Sequence, residues 1–233
     1  MSQIPFYETL KTQTEAARRA FFSTPMLLEA AENGVEAGLY VNYLTQAYHH
    51  VRHTCPLLAA ALGRCGSEDT VLREALIEYI DDEKGHERWI LNDIEAIGGQ
   101  KAVQRALDNN GDRAVRMMVG YVYYAIDRIS PYAMLGMVHV LEGTSVDIAS
   151  LAADSIAKRL GVSPTKGFSY LTSHGAVDQS HVQFFEGLVN QIEDPQKQAI
   201  IIDTARITYH LWGQMFTDLV NDWEKTQGAP VAV

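Results

Sequence analysis

At 233 residues the chain is longer than an average domain and short for two, and as one unit over 1–233 it would bury roughly 70% of its unfolded surface without staples. Its 29 acidic and 19 basic side chains leave a charge of −10, and the basic residues cluster no further than Arg18-Arg19 and Lys158-Arg159, which argues against nucleic acid and anionic membranes as partners. Two cysteines, Cys55 and Cys65, exclude a disulfide framework; with no signal-peptide pattern and no apolar run of membrane length, a cytoplasmic protein is expected.

Helical periodicity runs from end to end. A first helix is expected over about 6–22, stopped by Ser23-Thr24-Pro25, and a short one follows to Glu32, ended by Asn33-Gly34. A long helix is predicted over about 35–62 with a kink at Pro56, and another over about 67–97, closed by Gly98-Gly99. A short piece near 100–108 leads to the turn Asn109-Asn110-Gly111. Helices at about 112–127 and 131–160 come next, the second opened by Ser130-Pro131. A short helix is expected after Ser163-Pro164, then one over about 172–191, and Asp194-Pro195 opens the last, which runs to about Lys225. No repeat or linker divides the chain, so the fold class is an all-α helical bundle, in which facing helices can build a site in the core.

Three segments carry chemistry. His174, Asp178 and His181 form H-x3-D-x2-H, and positions i, i+4 and i+7 of a helix lie within about 60° of one another. Imidazole and carboxylate together suit iron, manganese or zinc. Glu83 and His86 form a Glu-x-x-His pair, a recurring element of di-iron carboxylate bundles, at the edge of an apolar stripe continued by Trp89, Ile90 and Ile94. The plain alternative for that segment is a solvated charge run. Glu142 lies in PYAMLGMVHVLEGTS, where a lone ionised carboxylate is costly unless paired or metal-bound. His139, one turn earlier, reads as a core or supporting histidine. His49, His50 and His53 share faces of the 35–62 helix and offer substrate contacts, with simple interior histidines the equal alternative. Neither cysteine has an activating neighbour, and no phosphate-cradling loop or Gly-x-Ser-x-Gly elbow occurs.

Glu83/His86, then Glu142, then the His174–Asp178–His181 triplet, on successive helices over roughly 10–220, resemble the heme-oxygenase-like di-metal oxidases. That group shares its fold with thiaminase II (TenA-like proteins), the PqqC-like pyrroloquinoline-quinone synthase and heme oxygenase. The resemblance implies that Glu83, His86, Glu142, His174, Asp178 and His181 hold two iron ions, with manganese as the alternative metal. Some members place the first Glu seven residues before the His, where this chain has Tyr79, so it follows the shorter variant. Haem-degrading relatives use a histidine on the first helix, yet no His precedes His49. Thiaminase II uses a late cysteine, yet none follows Cys65. The implied activity is that of a non-haem di-iron oxidoreductase, an oxidase or oxygenase that takes O2 and a small amino-acid-like or fatty-acid-like substrate. The alternatives are a TenA-like aminopyrimidine hydrolase and a non-catalytic ligand-binding member of the same fold. A homodimer is an expectation from the fold alone.

Overall fold

The computed structural model describes residues 4–228, except for the side chains of residues 147, 174–180 and 226–228. Among the described residues the structure is all-α, with no strand. The helices are α1 (Phe6–Phe22), α2 (Pro25–Glu32), α3 (Ala37–Val51), α4 (Thr54–Arg64), α5 (Thr70–Glu83), α6 (His86–Gly98), α7 (Gln100–Asp108), α8 (Arg113–Arg128), α9 (Ala133–Leu160), α10 (Ser169–Val189) and α11 (Pro195–Gly228).

Local chemistry explains most of these boundaries. Pro25 opens α2 at the position where a missing N–H costs nothing. Gly34 follows α2 at φ +69°, and a Cβ there would lie 2.4 Å from the Ser155 carbonyl oxygen, so only glycine lets α2 reach α9. Gly161 ends α9 in the left-handed conformation at φ +65°. The Asn109 side chain accepts the Gly111 N–H at 2.8 Å, an Asx turn that redirects the chain between α7 and α8.

Two long helices expected from the sequence are each broken in two. The 35–62 stretch divides at Arg52-His53, and Pro56 is the third residue of α4, inside a first turn whose N–H groups have no intrahelical partner. The proline therefore begins a helix and does not kink one. The 67–97 stretch divides at Lys84-Gly85, where Lys84 is extended and Gly85 is left-handed at φ +89°. Residues 163–168 form turns and bends, so the short helix expected after Ser163-Pro164 is absent there.

The helix α9 is central and packs on α2, α10 and α11. A Cβ on Gly136 would sit 2.6 Å from the Ile201 carbonyl oxygen, so this glycine sets the close crossing of α9 and α11. One continuous core runs through the molecule and includes the fully buried Tyr40, Tyr79 and Phe168. Each such side chain contributes about 1.5–3 kcal/mol by leaving water. Asp93 on α6, 2% exposed, caps the start of α10 from outside: its carboxylate accepts from the Ser169 N–H (3.0 Å) and hydroxyl (2.8 Å) and from the Tyr170 N–H (2.8 Å). Burial pushes its carboxyl above the ordinary value, against the pull of those donors. That tie fixes α10 relative to α6, and hence His181 relative to His86.

Candidate metal centre

Glu83 closes α5, Glu142 stands in the middle of α9, and His181 lies on α10. One carboxylate oxygen from each glutamate and one ring nitrogen of His181 all lie within 4.8 Å of one another. His181 Nδ1 is 3.6 Å from Glu142 Oε1, and the side chains are 9% and 12% exposed. Glu83 is 10% exposed. Two carboxylates brought this close at such depth repel one another and are costly to desolvate, and an ion of double positive charge relieves both penalties. An oxygen-rich set completed by imidazole suits iron or manganese better than a soft thiophilic ion. The donor set therefore fits the metal that the sequence implied.

The surroundings tie the three residues together. His86 Nδ1 lies 2.9 Å from Glu83 Oε2, and the ring stacks on Trp89 at 4.0 Å between centroids. Glu83 and His86 meet across the turn at Gly85, not along one helix face as the sequence pattern suggested. Tyr79, one turn before Glu83, packs edge-on against His181 (6.1 Å) and Phe184 (5.3 Å). Burial, then the charges of Glu142 and Glu83, drive its phenol far above the usual range, so it stays protonated. Asp82 Oδ2 lies 3.5 Å from His181 Nε2 on a half-exposed side chain. The spacing argument passed over Asp82 and gave Tyr79 no role in the site; the only signal for Asp82 was its place in the run Asp81-Asp82-Glu83. His174 and Asp178 fall in the helical backbone of α10, but their side chains lie outside the described residues.

The remaining histidines separate. His50 lines a cavity beside the glutamates and packs edge-on against Trp212 at 4.4 Å. His49 packs on Tyr48 and His53 on Tyr123; neither is among the described residues lining that cavity. Burial first, then the Arg52 charge, lowers the pKa of both. His139 faces Thr14, Tyr7, Phe185 and Tyr209 in the core, and burial brings its pKa down to about 4.

The cavity measures about 130 Å³ and runs along α9, with Tyr79, Glu83 and Glu142 in its wall. Its opposite wall comes from α2, α3 and α11, through residues such as Leu27, Tyr43 and Phe216. No helix among the described residues is long and apolar enough to cross a membrane.

Residues 41–213, which contain Glu83, Glu142 and His181, match the family model described as iron-containing redox enzyme. The chain belongs to that family. Solved structures agree on the fold of this family member. A domain of unknown function with a heme oxygenase-like fold from Shewanella denitrificans superposes with a TM-score of 0.86 at 17% identity, covering 99% of this chain and 98% of its own. A TenA homologue from Pseudomonas syringae gives 0.75 at 12% identity, with 93% of each chain covered. Heme oxygenase from Leptospira interrogans gives 0.73 at 16% identity, covering 92% of this chain and 100% of its own. At these identities the likeness establishes the heme-oxygenase-like, TenA-like bundle and nothing about the reaction. No curated protein is similar enough in sequence to match.

Proposed function

We propose that this protein is a non-haem, O2-activating oxidoreductase in which Glu83, Glu142 and His181 hold iron, with His86, His174 and Asp178 completing a shell for two ions. The observation that carries the reading is the convergence of two glutamates and a histidine from three different helices within 4.8 Å, in a buried position that opens on a cavity. Bound ferrous iron would supply the electrons for O2 reduction that no amino-acid side chain carries at ordinary potentials. The chain's own residues do the rest. Glu83 and Glu142 balance the ionic charge, and Trp89 holds the His86 ring in place. The apolar wall keeps water from the reacting end, so charge interactions there are weakly screened.

Two features of the wall argue against the other activities found on this fold. Neither Lys nor Arg is among the described residues lining the cavity, so the propionates of a haem would meet no cation. Neither cysteine lines it, and burial raises both thiols, which rules against an activated nucleophile of the thiaminase kind.

The test is iron uptake and iron-dependent O2 consumption. The wild-type protein is expected to bind two equivalents of Fe(II), and Glu142→Ala and His181→Ala to lose both binding and O2 consumption while keeping their helical circular dichroism. Wild-type levels of iron in both variants would remove the proposal.

A further inference from the structure

The imidazole of His181 lies between two carboxylates. Its Nδ1 is 3.6 Å from Glu142 Oε1, on the side where Glu83 also converges, and its Nε2 is 3.5 Å from Asp82 Oδ2. The inner acid is 12% exposed and the outer one 47%. Asp82 and Glu83 are consecutive in the last turn of α5, and consecutive side chains on a helix point about 100° apart. One helix end therefore sends one carboxylate into the cluster and the other to the outer edge of the same ring. The acid before them is engaged elsewhere, since Asp81 accepts from the Lys84 ammonium. Tyr79, edge-on to the ring at 6.1 Å and to Phe184 at 5.3 Å, flanks the imidazole from α5.

A neutral imidazole carries one proton, and only the nitrogen without it can bind a metal ion. A proton on Nδ1 would point at Glu142 and close the ring to an ion held there. A proton on Nε2 leaves Nδ1 bare on the inner side. Each carboxylate stabilises the tautomer that donates to it, so Glu142 and Asp82 pull in opposite directions. We infer that Asp82 is a positioning residue: it accepts the Nε2 proton of His181 and so holds Nδ1 bare and aimed at the Glu83–Glu142 pair. That the bare nitrogen serves a metal rests on the iron-dependent reading above; the place of the proton does not. The separation is about half an ångström longer than an ordinary N–H···O bond, and rotation of a half-exposed side chain closes it. The exposure of Asp82 has a physical reason. A third buried carboxylate would add to the repulsion between Glu83 and Glu142, whereas an acid half in water orients the ring without that cost.

The experiment uses the full-length protein, freed of metal by chelation and labelled with nitrogen-15 at histidine. Long-range proton–nitrogen correlation spectra report which ring nitrogen carries the proton, and the His181 signal is the one missing from His181→Ala. Wild type is expected to carry the proton on Nε2, and Asp82→Ala to move it toward Nδ1. Affinity for Fe(II), measured without oxygen against a chromophoric chelator, is expected to fall about tenfold to hundredfold in Asp82→Ala. Asp82→Asn, which keeps an acceptor oxygen and loses the charge, should keep the wild-type tautomer and bind with intermediate affinity. Asp81→Ala removes the same charge one residue away and should stay within about twofold of wild type. Asp82 is half exposed, so its variants should retain the wild-type circular dichroism and melting temperature. A wild-type ring protonated on Nδ1, a proton that stays on Nε2 in Asp82→Ala, or equal affinity losses in Asp81→Ala and Asp82→Ala would overturn the inference. The two claims separate cleanly. Wild-type protein that binds Fe(II) no more tightly than Asp82→Ala keeps the redox reading and removes this role for Asp82. Protein that shows the tautomer shift but binds no Fe(II) keeps the orienting contact and removes the redox reading.

Discussion

Two buried polar clusters share the helices α5 and α9 and differ in what the protein supplies to each. Asp69 precedes α5 and Glu83 ends it, about 21 Å apart along the axis; Tyr132 precedes α9, and Glu142 stands ten residues later. At the Asp69 end the chain brings its own cation. The Lys197 ammonium donates to Asp69 Oδ1 at 2.8 Å, the Tyr132 hydroxyl to the same oxygen at 2.9 Å, and the Gly66 N–H to Oδ2 at 2.9 Å. Burial alone would raise the Asp69 carboxyl, yet Lys197, Gly66 and Tyr132 hold it below the ordinary value. The cluster is closed, and it pins the starts of α5, α9 and α11 together. At the Glu83 end the chain assembles two carboxylates and an imidazole beside a cavity. One cluster takes its cation from the chain itself; the other gathers donors that could hold an added cation. Charge completed from within marks a structural joint, and a buried concentration of acceptors marks a place for a ligand.

The sharpest way to break that contrast is to truncate one carboxylate at each end of the pair of helices. Asp69→Ala strands the partly buried Lys197 ammonium and should lower the unfolding free energy by about 3 kcal/mol in urea titrations. Glu142→Ala in metal-free protein removes one of two neighbouring negative charges and should leave stability within about 1 kcal/mol of wild type. Added Fe(II) should then stabilise wild type and Asp69→Ala, and leave Glu142→Ala unmoved. Equal losses in the two metal-free variants would erase the distinction between joint and ligand site.

A second prediction concerns His139, three residues before Glu142 and turned into the core. Burial first, then the positive charges of Arg18 and Lys11, bring its folded pKa down to about 4, against about 6.5 when unfolded. Between those values the unfolded chain binds the proton and the folded one does not. Stability from this group is therefore full above the unfolded value and lost as pH falls through the window, amounting to about 2 kcal/mol by pH 5. His139→Leu should flatten the stability–pH curve between pH 6.5 and 4; an unchanged slope would show that the histidine is charged or solvated in the folded protein.

Much of the fold was legible because glycine and proline punctuate it. Asn33-Gly34, Gly98-Gly99, Ser130-Pro131 and Asp194-Pro195 each fall within a few residues of a helix end. The divisions at 52–53 and 84–85 were not legible. Leu72, Leu76 and Tyr79 on α5 face the same core as Ile90 and Ile94 on α6, so the apolar period reads across the break and only Gly85 marks it. Glu142 stood out because a charge in an apolar run demands a reason, and the structure brings it to Glu83 and His181. Tyr79 and Asp82 gave no such signal: a phenol in a helix reads as core, and one acid among several reads as surface. The α2 wall of the cavity could not be foreseen, since helical periodicity reports which face of α2 is buried and not what it is buried against.

The finest test of the contrast is Gly85→Ala. Gly85 holds φ +89°, and nothing lies within 4 Å of where a Cβ would stand, so the cost is conformational alone, about 1 kcal/mol. That small loss should act on one cluster only. The left-handed turn at Gly85 is what lets Glu83 end α5 and His86 open α6 with 2.9 Å between their side-chain atoms. Relaxing it toward a continuous helix should therefore weaken Fe(II) affinity, while the Asp69–Tyr132–Lys197 joint, at the far end of the same helix, is unaffected. Pairing the variant with Asp69→Ala measures this directly. Stability losses that add within about 0.5 kcal/mol would show the two clusters to be energetically independent. A coupling beyond that would mean that strain at Lys84-Gly85 travels the length of α5, and that the joint and the metal centre form one cooperative unit.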